Sequence, residues 1–516
     1  MNRQIVKLVA GLMVCYVALF ARLNQIQVFD AKKLNKREDN TREMIRDFDR
    51  PRGDIVLADG TVVAHSVETD GKFLYQRTYP FDDLYAHVVG SYSLMFGSDG
   101  VERRYTDELS GNTTDFRVGG FLDPFNETPN VGTVELSLVA SVQEAARAAL
   151  GTRNGSVVAI NPQTGAVLAM WSYPTYNPNL TATNDAEAAK AFKEALDAAP
   201  GKPLLARTFR ERFFPGSTFK IVTAAGALDA AKITETSPDF PVTTSYTPPL
   251  TSRPISNFGG SSCGGTLLEI LEVSCNAPFA RIGAELMGPQ PLIAAAESFG
   301  FNEAAPIDLP GTARSVFPTD FGARIGSGAQ PGAADLYEKT PQLAQSAIGQ
   351  YEVAATPLQM ALVAASVAND GRVMTPHVMN RILDRTGATV ETWEPSVWKE
   401  SMTPATAEIL RRAMQGVVAQ GTATAMNIPG AVVGGKTGTA QLGTTPAKSH
   451  AWVIGYAGPP NQAPSVAVAV LVEGQPGASE QTGGKVAAPI AKAVMEAALG
   501  AQAGTTPNPP IGEGGD

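Results

Sequence analysis

Three short polar segments carry the residue types that serine-based acyl transfer needs: Ser217-Thr-Phe-Lys220, Ser274-Cys275-Asn276 and Lys436-Thr437-Gly438. They fit the patterns S-x-x-K, S-x-N and K-T-G, and together supply a hydroxyl nucleophile, two lysines and a polar bridge, with no histidine. A serine hydroxyl attacks a carbonyl only when a base takes its proton. Ser217 and Lys220 are three residues apart, so a helix places them on one face, one turn apart. Ser217 then stands at the positive end of the helix dipole, where developing negative charge is favoured. Lys220 acts as a base only when neutral, and burial together with a second cation, Lys436, lowers its pKa. Ser274 would bridge the lysines and relay a proton to a leaving amine. Asn276 offers both halves of its amide to a substrate amide. Lys436, with the hydroxyls of Thr437 and Thr439, suits a substrate carboxylate, and Gly438 leaves room for a peptide against the strand. The backbone N–H groups of Ser217 and Thr439 are candidates for an oxyanion hole. Each pattern alone has a bland reading: a helix cap with a solvated lysine, a plain turn, a strand end. All three would have to be accidental together.

These residues need a scaffold. Pro215-Gly216 leads Ser217 into an apolar helix over Phe219–Leu228. Ahead of it, Gly155–Ile160 and Ala166–Trp171 read as strands joined by the turn Asn161-Pro-Gln-Thr-Gly165. Helical patterns follow at 186–196, 266–301, 342–368 and 404–419. Strand character returns at 431–441, 451–457 and 466–472, and a helix at 484–499 closes the pattern. This predicts an α+β domain over 152–500, with an antiparallel five-stranded sheet covered by helices. Residues 25–151 are polar and loop-rich, with short strands, and predict an elongated β-rich pedestal. There Pro51 to Gly60 reads as strand, turn and strand, and Val134 to Leu150 as a strand becoming a helix. Arg52-Gly53-Asp54 reads as a turn fixed by local salt bridging rather than as an adhesion tripeptide. The Pro- and Gly-rich tail, 501–516, predicts disorder.

Composition narrows the function classes. The 516 residues are 44% hydrophobic and 18% charged, an ordinary globular balance over two or three domains. A formal net charge of −9 argues against a nucleic-acid binder. Four histidines are scattered without a metal-binding spacing, so neither metal nor cofactor is expected. Arg3 and Lys7 precede an apolar run from Leu8 to Ala21 that Arg22 closes. With the flanking charges snorkelling, 8–24 is long enough to cross a bilayer, and no A-x-A cleavage site follows. The expectation is an uncleaved anchor with residues 1–7 in the cytoplasm and the catalytic part outside. Of the three cysteines, Cys263 and Cys275 would then meet an oxidising compartment and either form a disulfide or remain buried thiols.

Beyond these motifs, the chain resembles the class B penicillin-binding proteins from about Pro51 to Met495, and the compact PbpA-type members of actinobacteria in particular. The resemblance rests on the three motifs and on Arg52-Gly-Asp-Ile with Asp59-Gly60, Gly100-Val-Glu102 with Tyr105, and Leu109-Ser-Gly111. It also rests on Gly155 to Pro178, Ala347-Ile-Gly349-Gln350 with Thr356-Pro-Leu-Gln359, Ala368-Asn369-Asp-Gly371, and Gly483-Gly484 with Ala487-Ala-Pro489. It implies a penicillin-binding fold and D,D-transpeptidation of peptidoglycan stem peptides. Ser217 would be acylated, Lys220 the base and Ser274 the relay, with Asn276, Lys436, Thr437, Gly438 and Thr439 contacting substrate. It further implies β-lactams as inhibitors and a membrane glycosyltransferase partner of the RodA/FtsW kind. A D,D-carboxypeptidase or β-lactamase on the same fold is the near alternative, although no E-x-x-L-N-like segment offers a class A deacylating glutamate. A β-lactam sensor or wall-synthesis scaffold is the alternative from another class. A sensor would show further spans and a signalling domain, and a scaffold would be free to lose Ser217, Lys220 or Lys436.

Overall fold

Where both faces of a strand are covered, its sequence has no reason to alternate, and Val466-Ala-Val-Ala-Val-Leu-Val472 does not. All seven residues are buried at the centre of the molecule. The computed structural model describes residues 2–26, 48–113, 116, 130–328, 333–444, 448–474 and 482–504. The strands of its two main sheets are β1 (Ile55–Leu57), β2 (Val62–Glu68), β3 (Tyr75–Thr78), β4 (Thr133–Leu136), β5 (Gly155–Ile160) and β6 (Val167–Tyr173), continuing with β7 (Met379–Leu383), β8 (Thr389–Thr392), β9 (Val432–Gln441), β10 (Ser449–Gly458) and β11 (Val466–Val472). The helices that matter here are α1 (Asn2–Asn24), α2 (Ala140–Leu150), α3 (Lys220–Asp229), α4 (Asn276–Arg281), α5 (Pro357–Ala368), α6 (Pro404–Ala419) and α7 (Ala488–Gly504).

The central sheet has five antiparallel strands in the order β9-β10-β11-β5-β6. Helices α2 and α7 pack together against it, and α5 contacts β5, β10 and β11. Every residue of α5 is buried, as an all-round apolar helix demands. Thr356 caps α5 by accepting the Gln359 N–H at 3.1 Å, and Thr403 caps α6 in the same way.

A second sheet of six strands, β8-β7-β4-β1-β2-β3, forms the N-terminal region. Its last two strands come from beyond residue 378, so the chain returns to the pedestal after building much of the catalytic part. Arg381 on β7 pairs with Glu135 on β4. Nearby, buried Asp308 accepts the N–H groups of Val378 and Met379 at 2.7 and 3.0 Å and the Tyr105 hydroxyl at 2.6 Å.

Local salt bridging at Arg52-Gly53-Asp54 is not what the structure shows. Arg52 is buried and its Nε meets Glu102 at 2.6 Å, while Arg77 holds the other carboxylate oxygen at 2.6 Å. Burial pushes the Glu102 carboxyl up, and the two guanidinium groups more than offset this, leaving it below its usual range. A Cβ at Gly53 would lie 1.9 Å from the Gly132 carbonyl oxygen, so only glycine fits beside that strand. The predicted Val134 to Leu150 strand and helix become β4 and α2. The 501–504 stretch continues α7, and the rest of the predicted tail lies outside the described residues.

Within α1, the 22 residues Arg3–Asn24 carry an apolar window with a mean hydropathy of 2.0, none of which is buried in the protein. The helix is long and apolar enough to cross a bilayer.

Candidate active site

The nucleophile motif begins one turn earlier than an ordinary helix would place it. Gly216–Phe219 forms a 3₁₀ turn, and α3 starts only at Lys220. Gly216 takes φ +54°, and its N–H reaches the Gly349 carbonyl at 3.0 Å. Thr223 donates to the Ala347 carbonyl at 2.7 Å, so the Ala347-Ile-Gly349 stretch holds the start of α3 from one side. The Phe219 ring locks the turn from beneath, against Phe301 at 5.3 Å and Phe317 at 5.4 Å. Strand β9 closes the other side, with Lys436 opposite Ile454 and Gly438 opposite Trp452 on β10.

Ser217 is half-buried at the mouth of a cleft of about 780 Å³. Ser274, Asn276, Thr437 and Thr439 line the same cleft, together with Pro254–Gly259 and Thr482–Lys485. Lys220 and Lys436 are fully buried behind it. Lys436 Nζ donates to Ser274 Oγ at 2.7 Å, and Lys220 Nζ lies 3.5 Å from the same oxygen. Lys220 also donates to the Ser274 carbonyl at 2.8 Å and to Asn276 Oδ1 at 2.7 Å. Ser274 itself has φ +63°, a left-handed conformation that costs a non-glycine residue energy and persists because its surroundings impose it.

The two ammonium groups are poorly tolerated in this setting. Burial pushes Lys220 well below its ordinary value, and the nearby Lys436 pushes it further. Burial alone lowers Lys436 to about 7. A neutral Lys220 near neutral pH is what proton abstraction requires. Among the described residues, the Ser217 hydroxyl has no hydrogen-bond partner. The Lys220 amine, one turn along, is engaged with the second motif instead.

One expected role comes out differently, and one expected substrate contact already has a protein partner. The space that a side chain at Gly438 would fill faces protein rather than substrate: a Cβ there would meet the Pro215 carbonyl at 2.9 Å, Thr218 Cγ2 at 3.0 Å and Trp452 Cβ at 3.0 Å. Glycine lets the nucleophile turn lie directly on β9. The Thr437 hydroxyl is already shared with Thr422 Oγ1 at 2.7 Å, a partner that sequence reading did not find.

Also missed was the face of Phe279, 5.6 Å from Lys220 Nζ, and the whole segment 240–265. That segment folds into two short antiparallel pairs, Phe240–Thr243 with Cys263–Gly265 and Ser245–Tyr246 with Ile255–Ser256. It lies over the second motif, where the Ser256 carbonyl accepts from Asn276 Nδ2 at 2.9 Å. A disulfide joins Cys263 to Cys275.

Comparison with known proteins agrees with this geometry. The family described as the penicillin binding protein transpeptidase domain matches residues 155–496. The chain belongs to the penicillin-binding protein transpeptidase family. A second family, the penicillin binding protein A dimerisation domain, matches residues 52–134. Peptidoglycan D,D-transpeptidase PbpA of Mycolicibacterium smegmatis is 38% identical over 97% of this chain and 99% of its own. The protein of the same name from Mycobacterium tuberculosis is 36% identical over the same shares. Among solved structures, a ceftriaxone acyl-enzyme complex of penicillin-binding protein A from M. tuberculosis superposes with a TM-score of 0.78 at 34% identity, covering 88% of this chain and 100% of that one. An imipenem acyl-enzyme complex of that protein gives 0.76 over 88% and 99%. The penicillin-binding fold expected from the motifs is therefore this chain's fold.

Proposed function

We propose that this protein is a serine D,D-transpeptidase that cross-links peptidoglycan. The observation that carries the reading is the single hydroxyl of Ser274, placed between Lys436 at 2.7 Å and Lys220 at 3.5 Å at the back of the cleft that Ser217 enters. Ser217 attacks the carbonyl of the penultimate residue of a stem peptide ending in D-Ala-D-Ala. Lys220 takes its proton, and Ser274 passes a proton to the departing D-Ala amine. The Ser217 and Thr439 N–H groups hold the oxyanion, and Asn276 and the β9 residues Lys436, Thr437 and Thr439 align the peptide. An amine from a neighbouring stem then attacks the ester, forms the cross-link and frees Ser217. β-Lactams enter the same path and stop at the acyl-enzyme.

Helix α1 anchors the chain in the cell membrane through residues 8–24, with residues 1–7 in the cytoplasm and the cleft outside. A glycosyltransferase of the RodA/FtsW kind would supply the glycan strand and engage the anchor and the 25–151 pedestal. The full-length protein in detergent, labelled with fluorescent penicillin, should carry a long-lived adduct that Ser217→Ala abolishes. Rapid turnover of the drug would mark a hydrolase, and no adduct on folded protein would remove the catalytic reading.

A further inference from the structure

The 240–265 segment has a residue at its centre that the mechanism above does not use. Asn257 is 3% exposed, and all the hydrogen-bonding capacity of its amide is spent at named distances. Its Oδ1 accepts the N–H groups of Asn276 at 3.0 Å and Ala277 at 2.9 Å. Its Nδ2 donates to the Thr243 carbonyl at 2.8 Å and the Ser261 carbonyl at 3.0 Å.

The first turn of α4 needs such a partner. A helix begins with N–H groups that its own carbonyls cannot reach. Cys275, at the capping position, makes no side-chain bond to them, since its sulfur is in the disulfide. Pro278, the third residue, has no N–H at all. The donors of Asn276 and Ala277 are therefore the ones left to satisfy, and one oxygen from a distant segment takes both. Asn276 is the residue whose Oδ1 receives Lys220 Nζ at 2.7 Å.

We infer that Asn257 is a positioning residue for acylation: its acceptor oxygen fixes the start of α4, and through it the Asn276 amide, against Lys220. The donor half of the same amide ties the segment to itself, so the two halves have separable consequences. Asn257→Ala removes both halves, whereas Asn257→Asp keeps an acceptor for Asn276 and Ala277 and loses the donations to Thr243 and Ser261. The inference rests on Ser217 being the acylated residue, which Ser217→Ala in the same experiment tests separately.

The test uses the full-length chain in detergent and measures the second-order rate of acylation by fluorescent penicillin from pH 6 to pH 9, with thermal melting alongside. Displacing a reacting-site group by ~1 Å costs on the order of a hundredfold, so Asn257→Ala should acylate at least about tenfold slower. Asn257→Asp should recover most of that loss. The pH profile gives a readout that general loosening would not move. Lys436 is the charged group facing Lys220, whose remaining neighbours, Ser274, Asn276 and the Phe279 ring, are neutral. Without a well-placed Asn276 oxygen the Lys220 ammonium is less favoured, so the acid limb of Asn257→Ala should move to lower pH. The inference is overturned if folded Asn257→Ala acylates within threefold of wild type with an unmoved acid limb. It is equally overturned if Asn257→Asp is no faster than Asn257→Ala. Should the alanine variant not fold, an aspartate variant more than about tenfold slower than wild type overturns it.

Discussion

Replacing Lys436 by methionine removes a charge while keeping most of the volume, and the structure gives the size of the consequence. Both lysine nitrogens reach one hydroxyl, at 2.7 and 3.5 Å, which puts them no more than about 6 Å apart. Two unit charges at that separation, with an effective dielectric of about 20, repel by about 3 kcal/mol. That is roughly a hundredfold in the protonation equilibrium of Lys220. Lys436 titrates at about 7, so the repulsion operates below that pH and fades above it. The variant also loses the bond to Ser274, about 0.5–1.5 kcal/mol where Lys436 is neutral, which should slow acylation about two- to tenfold at pH 8.5. The expectation is therefore a loss that depends on pH. At pH 8.5 only the lost bond counts, and at pH 6 the loss deepens further, because Lys220 is more readily protonated without Lys436 beside it. Second-order acylation rates with fluorescent penicillin across this range measure both parts. An equal ratio of wild type to variant at pH 6 and pH 8.5 would refute the idea that Lys436 keeps Lys220 neutral.

Other perturbations test the surroundings. Gly438→Ala should overpack the contact between β9 and the Ser217 turn by about 1–3 kcal/mol, because the nearest obstacle is the Pro215 backbone; a lowered melting temperature together with slowed acylation checks it. Glu102→Gln leaves the buried Arg52 and Arg77 without their counter-charge and should destabilise the N-terminal region by about 3–5 kcal/mol, read from chemical denaturation. The native Glu102 carboxyl lies below its usual value, so its stabilisation is present above pH ~4.5 and is lost as pH falls through the folded pKa. A glutamine variant should lack that acid dependence.

Most of the catalytic scaffold was legible because its sequence signals are local. Val466–Val472 is a strand to the residue, Pro404–Ala419 a helix to the residue, and residues of the three motifs come together at one cleft. What was not legible is tertiary. Strands β7 and β8 are short, and Thr389–Thr392 is exposed throughout, so neither alternation nor an apolar run marks it. Arg52 looked like a local turn residue because its partner, Glu102, lies fifty positions away. Asn257 gives no signal at all: a lone asparagine reads as a turn former until the fold brings α4 onto it. Gly438 was singled out for substrate, and the reason for it is a neighbouring carbonyl.

The return of β7 and β8 to the N-terminal sheet has a consequence for how the chain matures. If the protein is threaded across the membrane from its N-terminal end, β1 to β4 emerge first, but the edge of β4 has no partner until residues 379–392 follow. Through the passage of some 240 residues, that edge offers unpaired N–H and C=O groups to any passing strand. The pedestal is thus finished late, and its completion reports that most of the catalytic part has already arrived.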